Sequence, residues 1–209
     1  MTIRTIPVGE LETNCYLVYD ENKRGIVIDP GAEGDRLLAA IEGEGVRVER
    51  VLLTHVHYDH IQAVDDIQEA VGAELLVPRL EEPAFRDPLR NLLRRKCDLQ
   101  ADRLLDDGDT VEAGALSFRV MLTPGHTAGS CCYIGEDVIF AGDTLFAGDV
   151  GRTDLPSGSQ EALERSLAAL AALPGDYRVY PGHGPDTTLE RERRLNPYVR
   201  ESMKWFREG

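Results

Sequence analysis

The chain has 209 residues, 42% hydrophobic and 29% charged, values expected of one globular domain that buries roughly 70% of its unfolded surface without disulfide staples. A formal net charge of −14 argues against nucleic acid as a partner and against docking on anionic membranes, since both need a basic face; an anionic small substrate stays open if bound cations reverse the local field. No apolar run approaches the roughly 20 residues that span a bilayer, and Met1-Thr2-Ile3-Arg4-Thr5 lacks the pattern of a signal peptide. A cytoplasmic protein with reduced Cys15, Cys97, Cys131 and Cys132 is therefore expected.

Segments rich in Ile, Val and Tyr predict strands over 2–7, 14–19 and 25–29. Pro30-Gly31 stops the third, and Leu37, Leu38 and Ile41 form the stripe of a helix over 33–43. A buried strand over 51–53 runs into Thr54-His55-Val56-His57-Tyr58-Asp59-His60. Ile61, Val64, Ile67 and Val71 give helical spacing over 61–71, and a strand follows over 74–77. The charged stretch 80–102, interrupted by Pro83 and Pro88, is read as loop with a short helix over 89–95. Hairpins follow over 110–122, turning at Ala113-Gly114, and over 131–140, turning at Gly135-Glu136. Adjacent Cys131 and Cys132 would face opposite sides of a strand and are poor partners for each other. Ser159 is the predicted N-cap of a helix over 159–171, 178–180 is a last strand, and 187–208 is helical with a break at Asn196-Pro197. Two mixed sheets packed face to face with helices outside, in one domain over 1–209, satisfy this order.

Each of the five histidines lies in a loop-like segment beside another ligand type, a glycine or a proline. His55-x-His57-x-Asp59-His60 directly follows a buried strand, so its side chains project from a sheet end. Alternate residues of an extended segment share a face, which lets His55 and His57 grip one ion while Asp59 and His60, at the turn into the helix, face a second. Imidazole and carboxylate are good zinc ligands, and packing them together without an ion would be costly if buried. Thr123-Pro124-Gly125-His126-Thr127 and Tyr180-Pro181-Gly182-His183-Gly184-Pro185 each place a histidine in a tight turn after a strand; a lone histidine in a turn is usually structural. Asp143, among apolar and small residues in Phe140-Ala141-Gly142-Asp143-Thr144, needs a partner, which a cation or a helix N-terminus would supply. Together these pieces put one ligand type after each of three separate strands.

On these residues the sequence resembles the metallo-β-lactamase superfamily, on the side of the hydroxyacylglutathione hydrolases (glyoxalase II-like proteins), over nearly the whole chain. Val27-Ile28-Asp29-Pro30-Gly31, His55-x-His57-x-Asp59-His60, Gly125-His126-Thr127, Gly142-Asp143-Thr144 and Pro181-Gly182-His183-Gly184 follow the family's order. The resemblance implies an α+β protein with a four-layer αββα sandwich of two mixed β-sheets. It implies a first metal held by His55, His57 and His126, and a second held by Asp59, His60 and His183, with Asp143 bridging both. Asp29 would steady a ligand from behind. Zinc, one ion or two, is the implied cofactor, with iron or manganese as other candidates.

The implied activity is hydrolysis of thioesters such as hydroxyacylglutathione by water activated on the metal, in a monomer or homo-dimer acting on a small molecule. Asp59 would be catalytic, orienting or deprotonating the nucleophile when the second site is empty. Arg152, in Gly151-Arg152-Thr153-Asp154, would bind a substrate carboxylate, or else form a surface ion pair with Asp154. Two departures from the family stand out. Gln62 replaces a glycine common among relatives and is expected to alter helix packing. Only 209 − 183 = 26 residues follow His183, so the C-terminal helical domain of full-length glyoxalase II enzymes is expected to be absent. The nearest rival is a persulfide dioxygenase with a single iron on His55, His126 and Asp143; a metallo-hydrolase for another ester or a lactone is a further alternative.

Overall fold

The segment Thr13–Tyr19 is buried at every position, which a strand achieves only when both of its faces are covered. Its side chains divide accordingly: Tyr16 and Val18 enter one apolar cluster, and Cys15, Leu17 and Tyr19 another. The computed structural model describes residues 1–93 and 97–205. In chain order the first half contains β1 (Thr2–Val8), β2 (Thr13–Tyr19), β3 (Arg24–Ile28), α1 (Gly34–Glu44), β4 (Arg47–Leu52), α2 (Tyr58–Ile61), α3 (Val64–Val71) and β5 (Glu74–Pro78). Next come β6 (Arg103–Leu105), β7 (Thr110–Ala113), β8 (Leu116–Leu122), β9 (Cys131–Ile134) and β10 (Val138–Gly142). The chain continues through β11 (Leu145–Phe146), β12 (Asp149–Val150), α4 (Gln160–Ala171), β13 (Arg178–Pro181), β14 (Thr187–Thr188), α5 (Leu189–Leu195) and α6 (Pro197–Trp205).

One sheet has the order β1-β2-β3-β4-β5-β6, antiparallel as far as β3 and parallel from β3 onward. The other has the order β14-β13-β10-β9-β8-β7, antiparallel except for the parallel β10–β13 pair. Between them lie Tyr16, Ile26, Ile28, Leu52 and Leu76 from the first sheet and Phe118, Val120, Tyr133 and Phe140 from the second. Outside the first sheet Val27, Val51 and Leu75 pack against Leu37 and Ile41 of α1 and Val64 and Ile67 of α3. Outside the second, Ile139 and Val179 pack against Leu163, Leu167 and Leu170 of α4, Leu189 of α5 and Val199 of α6. The result is the α+β, four-layer αββα sandwich of two mixed sheets. Cys131 sits between the sheets and Cys132 under the helices, on opposite faces of β9 as their adjacency requires. Among the described residues no helix is long and apolar enough to cross a membrane.

Three details depart from the sequence reading. The helix expected over 61–71 is two helices, because Ala63 gives its amide to the carbonyl of Pro30 (3.0 Å) rather than to the preceding turn. In 80–102 the helical turn is a 3-10 helix at Glu82–Arg86, opened by Pro83, and not a helix over 89–95. There Leu92 takes φ 61°, a left-handed conformation that interrupts a helix; positions 94 and 95 lie outside the described residues. The tail expected to be helical from 187 opens instead with β14, which pairs with β13, and its helices start at Leu189; it breaks at Asn196 as expected, and its expected end over 206–208 also lies outside the described residues.

Candidate metal centre

The parallel pairs β3–β4 and β10–β13 deliver Asp29, the segment 54–60, Asp143 and His183 to one edge of the sandwich, and the turn after β8 adds His126. Two backbone clasps hold the sheets together there. From the first sheet, Asn14 donates its amide to the carbonyl of Gly182 (2.7 Å) and its side-chain nitrogen to those of Pro181 and Gly184, while the Tyr16 hydroxyl also donates to Pro181. From the second, the Cys131 amide donates to the Thr54 carbonyl (3.0 Å) and the Tyr133 hydroxyl to the Leu53 carbonyl (2.7 Å). Gly142 permits the approach: it holds φ 47°, and a Cβ there would lie 2.4 Å from Thr54 Oγ1.

The imidazoles are oriented from behind. Nδ1 of His126 lies 2.8 Å from the Arg152 carbonyl and that of His183 3.0 Å from the Leu11 carbonyl. A carbonyl only accepts, so each Nδ1 carries a proton and each Nε2 is turned inward, where it presents a lone pair once free of its own proton. His60 Nδ1 donates to Asp29 Oδ2 at 2.9 Å. The Thr54 hydroxyl donates to the same oxygen at 2.6 Å, leaving its lone pairs for His55 Nδ1 at 3.1 Å. Asp29 Oδ1 also accepts from the Thr54 amide at 2.8 Å. His57 is turned the other way: its Nδ1 faces His126 Nε2 at 2.9 Å.

The inward atoms form three groups, His55–His57–His126, His55–His60–Asp143 and Asp59–His60–His183, each within 4.8 Å. His55 Nε2, His60 Nε2 and Asp143 Oδ1 are buried and find no hydrogen-bond partner among the described residues. Nitrogen and oxygen ligands at about 2.0–2.2 Å from a tetrahedral zinc stand roughly 3.3–3.6 Å apart. Asp59 Oδ2 lies 3.4 Å from His60 Nε2 and 3.3 Å from His183 Nε2. Asp143 lies 3.5 Å from each of His60, His126 and His183, Oδ1 facing the first and Oδ2 the others. The donor set fits a cation, the separations of Asp59 from its two imidazoles are those between ligands of one ion, and Asp143 faces both sides.

Electrostatics divides the site in the same way. Burial, then the neighbouring imidazoles, pushes His55 down and holds His57 at about 3. Burial also disfavours charge on His60 and His183, but the carboxylates outweigh it: Asp59, Asp143 and Asp29 bring His60 to about 9, and Asp143 and Asp59 bring His183 to about 10. Asp59 and Asp143, buried yet facing those imidazoles, are held below the usual carboxylate range. The carboxylates thus demand positive charge, which protons supply when nothing stronger does.

All the sequence-predicted ligands converge on this edge, with Asp29 directly behind them. The Arg152 guanidinium makes a bidentate pair with Asp154 (2.7 and 2.8 Å), and its main-chain carbonyl is what orients His126. Gln62 reaches the carbonyl of Gly31 at 3.3 Å. Sequence reasoning missed Thr13, whose hydroxyl donates to Asp59 Oδ2 at 2.8 Å, and Glu81, a carboxylate only 1% exposed beside the His55–His57 segment. Nothing local marks Glu81 out from its charged neighbours Glu82 and Arg79.

Residues 8–183 match the family model of the metallo-beta-lactamase superfamily, and the chain belongs to that superfamily. It is 34% identical over 208 residues to the hydroxyacylglutathione hydrolase GloC of Haemophilus influenzae, covering 95% of this chain and 98% of that one. Among solved structures, BLEG-1, a B3 metallo-beta-lactamase, superposes with a TM-score of 0.90 at 34% identity, over 95% of this chain and 99% of the other. TTHA1623 in a di-iron-bound form superposes with a TM-score of 0.83 at 36% identity, over 93% and 99%.

Proposed function

We propose that the protein is a metal-dependent hydrolase that cleaves thioesters such as hydroxyacylglutathione. The observation that carries the reading is the set of inward lone pairs: four imidazoles fixed from behind by acceptors on Nδ1, with Asp59 and Asp143 set between them at 3.3–3.5 Å. His55, His57 and His126 would hold one ion and Asp59, His60 and His183 a second, with Asp143 shared. Bound dications supply a Lewis acid for a carbonyl oxygen and lower the pKa of water to about 7.

The chain's own residues do the rest. Thr13 and His183 hold Asp59 as an anion, which suits it to orient a water hydrogen more than to remove it. Asp29 and Thr54 fix the tautomers of His60 and His55. Phe146 packs edge-on near His183, with ring centres 6.2 Å apart, and walls that side of the site. Arg152, paired with Asp154, would have to exchange that partner to take a substrate carboxylate. The kinship to GloC supports the thioester as substrate, and the di-iron relative supports iron beside zinc as the ion.

The test is metal analysis of protein purified without added metal, coupled to a panel of thioesters, esters, lactones and a β-lactam. The expected result is bound zinc or iron and hydrolysis of a thioester, with His57→Ala losing the hydrolysis together with the ion of the His55–His57–His126 group. Full activity of metal-free protein refutes the reading. Iron together with oxygen consumption on glutathione persulfide would make it a dioxygenase.

A further inference from the structure

Glu81 closes the turn after β5 and is fixed there by its own backbone: its amide donates to the Pro78 carbonyl and its carbonyl accepts from Ala84, both at 2.8 Å. Its side chain leaves that turn and is wholly inside the protein. Oε2 accepts from the amide of Val56 (3.1 Å), the residue between His55 and His57. Oε1 accepts from the amide of Gly129 (2.9 Å), and the Thr127 hydroxyl bonds the same carboxylate. Thr127 directly follows His126. One carboxylate therefore joins the segment that carries His55 and His57, from the first sheet, to the turn that carries His126, from the second.

His57 is where this join matters most. His55 leans on Thr54 and His126 on the Arg152 carbonyl, but His57 Nε2 has no hydrogen-bond partner among the described residues. Its Nδ1 meets only another ligand, His126 Nε2 at 2.9 Å, so nothing behind the ring fixes it except its main chain, which is pinned beside it at Val56. The contacts that orient the other group run from Thr13 to Asp59, Asp29 to His60 and the Leu11 carbonyl to His183, and none of them passes through Glu81.

We infer that Glu81 is a positioning residue for one half of the centre: it sets the spacing of His57 and His126 and thereby the affinity of the His55–His57–His126 group, leaving the Asp59–His60–His183 group alone. The inference rests on the metal reading above. A carboxylate serves both amides because they fall on different oxygens. Glutamine has one oxygen, so Glu81→Gln leaves one amide facing an NH2 group of the same size and shape.

The experiment measures zinc affinity by competition with a chromophoric chelator in two backgrounds. His183→Ala isolates the first group and His57→Ala the second. Glu81→Gln is expected to weaken zinc binding about 10- to 100-fold in the His183→Ala background, the range seen when supports behind metal ligands are removed, and to leave it unchanged in the His57→Ala background. Thr127→Val, which deletes only the hydroxyl, gives a smaller loss with the same selectivity and serves if the glutamine variant does not fold. Unchanged affinity in the His183→Ala background, or an equal loss in both, overturns the inference while the metal reading stands. Parent protein that takes up neither zinc nor iron overturns both.

Discussion

Asp29→Asn tests how the centre sets the protonation of its imidazoles. Asp29 accepts three hydrogen bonds on two oxygens: the Thr54 amide at 2.8 Å on one, the Thr54 hydroxyl at 2.6 Å and His60 Nδ1 at 2.9 Å on the other. Asparagine has the same shape but one oxygen, so in either orientation at least one donor meets an NH2 group. With the oxygen toward the Thr54 amide, the Nδ1 proton of His60 faces an NH2 group, so once the charged ring gives up one proton the remaining one is better placed on Nε2, the atom it must offer a cation. Loading the site then forces the proton back and leaves a buried donor unmet. Such a donor costs about 1–3 kcal/mol, which is roughly a 5- to 150-fold loss of affinity. Zinc titration against a chelator at neutral pH reads the loss, and nitrogen NMR of the metal-free imidazole above about pH 9, where His60 is neutral, reads the tautomer. An Asp29→Asn protein with parental affinity and an unprotonated His60 Nε2 would show that the carboxylate does not control the ligand.

Other outcomes follow from the charges and the space. At neutral pH His60 and His183, raised to about 9 and about 10, carry protons that a cation must displace, whereas His55 and His57 carry none. Loading the His60 side should release about two protons, with affinity rising up to about pH 9–10; calorimetry in buffers of different ionisation enthalpy checks this, and release of none contradicts it. The sign for folding is opposite: both values lie above the ordinary 6.5, so the metal-free fold gains its full contribution below pH 6.5 and loses it as pH rises through 9–10. Melting of chelator-treated protein across that range should show the decline. Gly182→Ala would put a methyl carbon 2.1 Å from Asp143 Oδ1 and 2.9 Å from the His60 ring, with the Gly182 amide and carbonyl both pinned. Overpacking of about 1–3 kcal/mol is expected, with weaker metal uptake on both sides because Asp143 faces both; an unshifted melting temperature counts against it.

The convergence of these ligand types was legible because imidazole and carboxylate have few other uses at the ends of buried strands. His55, His57, Asp59, His60, His126, Asp143 and His183 all follow strands that short apolar runs bounded by turn residues reveal. What holds them was less legible. The carbonyls of Arg152 and Leu11 orient two histidines, and a main-chain carbonyl carries no residue identity. Glu81 looks like any surface glutamate until Val56 and Gly129 are seen beside it. The fold shows the same division. Long periodic elements such as α1 and α4 declared themselves, whereas β6, β11, β12 and β14 have only two or three residues and exist through pairing with neighbours. The split between α2 and α3 likewise comes from a distant carbonyl, that of Pro30, and not from the spacing of Ile61, Val64 and Ile67.

The clasps of Asn14 and Tyr16 on Pro181, and of Tyr133 on Leu53, bind one sheet's rim to the other's through groups that are not themselves ligands. The two rims are therefore riveted before any ion arrives. Ion capture becomes entry into a finished socket and not the step that builds it, so stripping the protein should empty the socket without prising the sandwich open.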